Sequence, residues 1–519
     1  MKGFRFFLVF VVVSALCISM IVPGHTAQPK RGGTLIIGTQ KDPHGMDTHK
    51  DVAIQGIAIL PQIYDSLVNF DDEGNLVPGL AVSMPEQPDP VTYVFNLRKG
   101  VKFHNGADFD AQDVKFSYER MMNKDISRYW KKYRKMIKSV EILDPYKVKI
   151  TLNDPYIAFL EIMAKNHEFQ IVPRGTGDHI TRPIGTGPFK FEEWIKDDRL
   201  TLVRNENYWV KGLPYLDKIV YKPFPEPTIR VINLKTAKVD VVHNLPAKDA
   251  VELKKDPGIK VIGRSGGLTE MVWFNTTKPP FDNKKVRQAI AYGIDREVVA
   301  KSVFLGTAEV GYSLFPSWFF AHDPEVKFYQ YNPEKAKELL KEAGYSANNP
   351  LSFTMQCTNA PIFVDQATII QSQLGKIGVK VEVLPLEKSY WYDGLLGRKG
   401  RDYEGSLEDS SDEMTELQWA YRFFGGDSYY NQVAYNSERM GKKGAQNPEV
   451  VRLYKKIFAT SDRDERKKSW NELQKLILDD MPLLYLSFWQ NIIGMRGYVE
   501  NHKVLTRNNV PLKEVWLEK

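Results

Sequence analysis

Residues Val77 to Met122 read VPGLAVSMPEQPDPVTYVFNLRKGVKFHNGADFDAQDVKFSYERMM. Within this stretch Tyr93, Phe95 and Leu97 alternate with Thr92, Val94 and Asn96. Successive side chains leave a strand on opposite faces, so this period of two in aromatic and β-branched residues predicts a strand. Arg98-Lys99-Gly100 turns the chain, Val101 to Phe103 returns it, and His104-Asn105-Gly106 turns it again, because glycine tolerates the positive φ of tight turns. Asp110 is placed to cap a helix. Asp113 lies near the orphan N–H groups, and Val114, Ser117, Tyr118, Met121 and Met122 follow at helical spacing. Strand, turns and capped helix are scaffold; nothing here is catalytic equipment.

The same stretch resembles the signature of the family 5 extracellular solute-binding proteins, the peptide/nickel-type receptors of ABC importers. Pro78-Gly79-Leu80-Ala81, Phe95-x-Leu97-Arg98, Val101-x-Phe103-His104-Asn105-Gly106 and Ala111-x-Asp113-Val114-x-Phe116-Ser117 carry the likeness. It extends through Tyr64-Asp65-Ser66-Leu67, Gly185-Thr186-Gly187-Pro188-Phe189 and Asn205-x-Asn207-Tyr208-Trp209, then through Phe274-Asn275 with Val286-Arg287-x-Ala289-Ile290 and Ile294-Asp295-Arg296. What the resemblance implies is an α/β, two-lobed periplasmic-binding-protein fold (type II, Venus-flytrap) with an extra inserted domain. Lobe I would hold residues 28–66, 183–275 and 487–519, the inserted domain 67–182, and lobe II 276–486. The two hinge strands would lie near Trp273–Thr276 and Leu484–Phe488.

Composition agrees with an exported globular protein. The 519 residues are 43% hydrophobic and 12% aromatic, enough for two large domains or three at roughly 150 residues each. Lys2 and Arg5 precede the apolar run Phe6 to Val22, and Pro23 to Ala27 has the character of a cleavage region, so residues 1–27 read as a signal peptide. Ser14-Ala15-Leu16-Cys17 resembles a lipoprotein box, but Leu16 directly before the Cys, with apolar sequence beyond, argues against a lipid anchor. With Cys17 in the leader, Cys357 is left alone and no disulfide forms within the mature chain. The formal charge of +7 falls to +5 without the leader, which gives no reason to expect nucleic acid. Ser127 to Lys138 mixes Tyr129, Trp130 and Tyr133 with basic residues and reads as a solvated helix face that buries its rings. No later run approaches the ~18 apolar residues of a membrane span.

Two glycine motifs invite catalytic readings. Gly185-Thr186-Gly187 lacks a third glycine and is followed by strand-like sequence rather than a helix, so it is not a phosphate loop. Gly263-Arg264-Ser265-Gly266-Gly267 formally matches a nucleophile elbow, but Leu268 to Phe274 reads as a strand, so the segment is expected to be a glycine-rich turn between two strands. Further on, Asp282 or Asn283 caps the helix Lys284 to Tyr292, Asp295 caps the next, and Asn332-Pro333 opens a third that stops at Gly344. Leu351 to Gln356, a helix from about 362 to 376, and Val379 to Leu384 make a β-α-β unit, which builds parallel sheet. Glu465 to Asp479 reads as a helix and Pro482 to Leu486 as a strand.

A receptor of this kind needs a cleft, not a nucleophile, so no catalytic residue, cofactor or metal site is expected. The nine histidines are scattered, with no His-Glu-x-x-His and no cysteine pair. Between Lys388 and Tyr435, aromatic residues including Trp391 and Trp419 are interleaved with the acids Glu408, Asp409, Asp412, Glu413 and Glu416. Rings give apolar contact at low entropic cost, and a carboxylate can pair with an amine. The resemblance implies further that Asp51 and Val52 offer backbone to an extended peptide, that Tyr129 reaches the cleft from the inserted domain, and that Trp391 lines it. Asp412 or Glu413 would receive the peptide's amine. The relatives' later Trp and Pro are missing here, and that departure touches peptide specificity directly. The expected partners are a peptide or other small solute and a permease–ATPase complex in the inner membrane, the protein itself being a periplasmic monomer. An oligosaccharide receptor is the rival within the class. A secreted hydrolase built on Ser265 is the rival from another.

Overall fold

The computed structural model describes residues 28–50, 54–72, 74–177, 179–391, 403–411, 435–436, 438–439, 442–460, 462–504 and 510–519. Two long strands organise it: Ile259–Phe274 and Leu483–Arg496 run antiparallel along most of their length, at the centre of an 11-stranded sheet. At one end, Gly405–Ser411 joins the Leu268 to Phe274 part of the first long strand, and Ser352–Thr358 and Lys380–Leu386 follow outward. At the other end, Val241–Val242 joins the second long strand at Gly494 and Met495, followed by Thr34–Thr39, Lys218–Pro223, Arg199–Arg204 and Phe189–Ile195. The sheet therefore has two halves that meet through the long pair.

Strand direction makes the two halves face each other. Leu483–Arg496 enters the half that holds Val241–Val242 with its carboxyl end and Val241–Val242 runs against it, so Val242 points back toward the half that holds Gly405–Ser411. Gly405–Ser411 runs against Ile259–Phe274, so Ser411 points toward the half that holds Val241–Val242. Each half thus turns the carboxyl ends of its parallel strands to the other, and α/β sheets bind ligands outside those ends.

The expected β-α-β unit is present: Ser352–Thr358 and Lys380–Leu386 pair in parallel around the helix Pro361–Gly375. This helix buries Phe363, Ala367, Ile370 and Leu374 against Phe353, Met355 and Val381, at roughly 1.5–3 kcal/mol for each fully buried large apolar side chain. The opening stretch folds as read. Thr92–Asn96 lies in a separate four-stranded sheet with Glu86–Asp89, Lys147–Leu152 and Ile137–Asp144. Asp110 Oδ1 accepts from Gln112 N at 2.8 Å, and Asp113 Oδ2 accepts from Asp110 N at 3.0 Å, closing a capping box on the helix Ala111–Met121. Val114, Tyr118 and Met121 then pack with Tyr93, Phe95, Phe159 and Phe169. Asn283, not Asp282, caps its helix, accepting from Lys285 N at 2.9 Å.

Other expectations are corrected. Residues 263–267 do not form a turn, because Ile259–Phe274 is one continuous strand. The extra residues are absorbed as an irregularity, Ser265 pairing with Gln490 and Thr269 with Phe488. The strand-to-helix turn of a nucleophile elbow is therefore not what surrounds Ser265. The strand read from Pro482 continues to Arg496. Of the three rings in the basic-aromatic segment only Tyr133 is buried; Trp130 is half-buried and Tyr129 is 36% exposed.

Candidate functional site

A cavity of about 880 Å³ opens where the two halves meet. Gln40, just beyond Thr34–Thr39, and Asn244 to Lys248, just beyond Val241–Val242, form one wall. Ile362, Asp365 and Ile369 of Pro361–Gly375, with the end of the helix Arg296–Phe304, form the other. Trp489 to Ile492 on the second long strand and Leu268 on the first close it. Ile362, Asp365, Thr368 and Ile369 share one face of the helix, while Phe363, Gln366 and Ala367 between them are buried. The volume lies within the ~300–1,000 Å³ of small-molecule sites.

The wall helix is tied to the strands beneath it. Gln366 Nε2 donates to Glu270 Oε1 and Oε2, both at 2.7 Å, and Ser487 Oγ donates to the same carboxylate at 2.8 Å. Trp489 stacks edge-on against Phe304 at 4.9 Å, and its indole N–H is buried without an acceptor among the described residues.

Alternation along the long strands separates this cavity from Trp391. Val272, Leu484 and Leu486 pack on the side of Pro361–Gly375, whereas Met271, Trp273 and Tyr485 pack on the side of the helices Pro448–Ala459 and Arg463–Asp480. Trp391 belongs to the latter cluster. It is 4% exposed, and its indole N–H donates to Ser406 Oγ at 3.2 Å. Tyr129 stands at the start of the helix Trp130–Met136 with the Arg128 guanidinium 5.0 Å from its ring centroid. Asp51, Val52, Asp412, Glu413 and Trp419 lie outside the described residues.

The approach to Asp51 is anchored by a buried network. Arg120 donates to Asp47 Oδ1 at 2.7 Å and Oδ2 at 2.6 Å, and its Nη1 lies 2.9 Å from His49 Nδ1. His49 Nε2 lies 3.2 Å from the Gln170 carbonyl. Burial pushes the Asp47 carboxyl up, but the hydrogen bonds and charge of Arg120 outweigh this and hold it below the usual carboxylate range. Burial and the Arg120 charge hold His49 down, to about 3, so the ring is neutral.

The glycines of residues 185–187 serve packing. A Cβ on Gly185 would stand 2.1 Å from the Ile63 carbonyl oxygen, and one on Gly187 2.5 Å from the Ile63 carbonyl carbon. Thr186 between them donates to Asp65 Oδ2 at 2.9 Å. Among the described residues no group of three or more His, Cys, Asp or Glu could hold a metal ion, and no helix is long and apolar enough to cross a membrane.

Lys248, Asp365 and Trp489 were not singled out from sequence. Helical periodicity could have placed Ile362, Asp365 and Ile369 on one outward face. That residues 244–248 stand opposite them depends on two strands some two hundred residues apart pairing across the middle of the fold.

Comparison with known proteins gives a consistent answer. The profile of the bacterial extracellular solute-binding proteins, family 5 Middle, matches residues 75–440. Heme-binding protein A of Haemophilus influenzae is 29% identical, covering 92% of this chain and 91% of its own. Di/tripeptide-binding protein 2 of Pseudomonas aeruginosa is 29% identical, covering 89% and 90%. Among solved structures, the ABC transporter-associated periplasmic binding protein DppA from Helicobacter pylori, in complex with the peptide STSA, aligns with a TM-score of 0.72 and 28% identity over 94% of this chain and 99% of that one.

Proposed function

Because the chain belongs to the bacterial extracellular solute-binding proteins of family 5, we propose that it is the periplasmic receptor of an ABC importer, capturing a short peptide between its two lobes and delivering it to a membrane permease. The observation that carries this reading is the cavity whose walls come from both halves of a sheet joined by two long strands. Such an arrangement closes by rotation about the connecting strands, and a solute favours the closed state by its extra contacts there. The pairing irregularity at Ser265 and Thr269, opposite Phe488 to Gln490, is the natural pivot. Micromolar capture needs only about −8 kcal/mol, within reach of a few ring contacts and one or two charged ones. The peptide reading draws on relatives named for di- and tripeptides, and Asp412 or Glu413 remains its proposed amine acceptor. The reading involves no bond making, so Ser265 has no catalytic part in it.

A second reading has its own support. Trp489 with the neutral amides Asn244, Gln490 and Asn491 is a surface suited to a sugar. Thermal unfolding of residues 28–519 with di- to pentapeptides, cello- and manno-oligosaccharides, and nickel chelates separates the two, since a ligand raises stability with its occupancy. Peptides are expected to raise the midpoint. A response to oligosaccharides alone moves the assignment to the sugar reading, and no response to any class overturns solute capture.

A further inference from the structure

Residues 126–140 carry more positive charge than their fold asks for. They hold six basic residues, Arg128, Lys131, Lys132, Arg134, Lys135 and Lys138, and no acid. The remainder of 67–182 holds 11 basic residues against 16 acidic ones. Positive charge in this part of the chain is therefore concentrated at one place, and all six residues there are exposed.

The helix Trp130–Met136 gives the cluster its shape. With about 3.6 residues per turn, Tyr133 and Met136 turn inward, Tyr133 packing with Phe169 and Ile137 in the core beside the four-stranded sheet. Lys131, Arg134 and Lys135 fan over the opposite face. Trp130 stands at the border, half-buried, with Lys131 5.5 Å and Arg134 5.7 Å from its ring centroid. Tyr129 precedes it, 36% exposed, beside the Arg128 guanidinium. Lys132 has the Glu168 carboxylate to attract it. Among the described residues, Lys131, Arg134, Lys135 and Lys138 form no salt bridge and donate no side-chain hydrogen bond. Nor does the helix need Arg134 and Lys135 as caps, because Asn153 Nδ2 donates to their carbonyls at 3.2 and 2.9 Å. A face that served only to be solvated would give no reason to keep Trp130 and Tyr129 at the surface.

We propose that this face docks on an anionic lipid surface, with Lys131, Arg134, Lys135 and Lys138 against the headgroup phosphates and Trp130 and Tyr129 at headgroup level. Trp and Tyr suit that depth because each joins an apolar ring to a polar tip. Cations spread over an open surface match a field of phosphates, whereas one discrete anion would call for a closed, hydrogen-bonded pocket. The helix has no long apolar face to insert, so the contact is electrostatic, reversible and weakened by salt. The docking goes beyond the receptor reading and uses none of the residues lining the cavity between the halves.

The test sediments residues 28–519, at low ionic strength, with vesicles of phosphatidylcholine alone or of phosphatidylcholine and phosphatidylglycerol in equal parts. Binding is expected to the anionic vesicles only, and is expected to fall as salt is added. Each lysine near an anionic surface is worth about fivefold in affinity. Lys131→Gln combined with Lys135→Gln and Lys138→Gln should therefore weaken binding about a hundredfold, with an unchanged melting temperature. Lys337→Gln combined with Lys341→Gln and Lys467→Gln, three exposed lysines elsewhere, should leave binding as it is. No binding to the anionic vesicles, or wild-type binding by the first triple variant, overturns the proposal. So does retention on immobilised polyglutamate as strong as on the vesicles, which would point to an acidic protein partner instead. Solutes that raise the wild-type unfolding midpoint should raise that of the first triple variant equally; loss of that response would assign the face to solute capture and also overturn docking.

Discussion

Gln366 Nε2 donates to both carboxylate oxygens of Glu270 at 2.7 Å. Gln366 stands on the cavity helix, Glu270 on the first long strand, and Ser487 on the second adds a bond of 2.8 Å to the same carboxylate. All three are buried. The contact joins the wall that carries Asp365 to the pair of strands about which the halves would move.

Gln366→Leu keeps the volume and removes the amide donor from a buried carboxylate. Leaving a buried charged group short of its partner costs about 2–4 kcal/mol. Urea unfolding should show a lower midpoint with an unchanged slope. A shift equivalent to less than about 0.5 kcal/mol, the range of a neutral surface change, would mean that the contact holds nothing in place.

Arg120 and Asp47 form the buried ion pair on which the segment before Asp51 rests, with side-chain exposures of 6% and 1%. Arg120→Met strands the Asp47 charge, and breaking one side of a buried pair costs about 3–5 kcal/mol. Arg120→Lys should recover little, because a point charge cannot reproduce two parallel N–H bonds. The Asp47 carboxyl is held below its ordinary value in the fold. Its stabilisation is therefore complete above the unfolded carboxylate pKa of ~3.9 and fades as pH falls below it. Thermal unfolding from pH 5 to pH 2.5 should show wild type losing an increment that Arg120→Met never had.

Four histidines make the fold acid-sensitive in a higher window. Burial holds His49 and His502 down to about 3, and His104 and His243 to about 4. His243 and His502 lie with ring centroids 5.7 Å apart, and both ring nitrogens of His502 are buried without partners among the described residues. Unfolded histidine takes up a proton near pH 6.5, so between pH 6.5 and about 4 the unfolded chain binds more protons than the folded one and stability falls with pH. Each histidine contributes a slope approaching 1.4 kcal/mol per pH unit. Urea midpoints measured from pH 7.5 to 4.5 should fall steeply, and His502→Phe should flatten the curve. Equal slopes in the two proteins would show that His502 titrates in the fold as it does in the unfolded chain.

How much of this was visible in the sequence depended on whether the deciding contact was local. The capping box of Asp110 and Asp113, the Asn332 cap and the β-α-β unit all rest on residues within a turn or two of each other, and periodicity reads them directly. The continuous strand Ile259–Phe274 is hidden in the sequence because glycine in residues 263–267 has turn propensity, while the pairing of Gly263 to Ser265 and of Thr269 with Leu483–Arg496 is made far along the chain. The cavity failed to show for the same reason. Lys248 and Asp365 are unremarkable helical residues until the long strands bring their helices to one space. The resemblance implies that Trp391 lines the cleft, and in the fold its ring packs among Trp273, Tyr403 and Tyr485, neighbours that its local sequence does not reveal.

Gly185 gives the last prediction, since the packing role and the phosphate loop that its motif only superficially suggests have opposite consequences. Its added Cβ would stand 2.1 Å from the Ile63 carbonyl oxygen, and a backbone atom at that distance cannot yield as the tip of a side chain would. Gly185→Ala should therefore cost about 1–3 kcal/mol or more by overpacking. Gly177→Ala, with nothing within 4 Å of its added Cβ, should stay within about 0.5 kcal/mol of wild type. A phosphate-binding loop would behave otherwise: Gly185→Ala would leave the melting temperature alone and weaken the affinity for inorganic phosphate. The Ile63 contact makes the loss of stability the expected result, because Gly185 and Gly187 let two backbones meet at a point where no side chain fits.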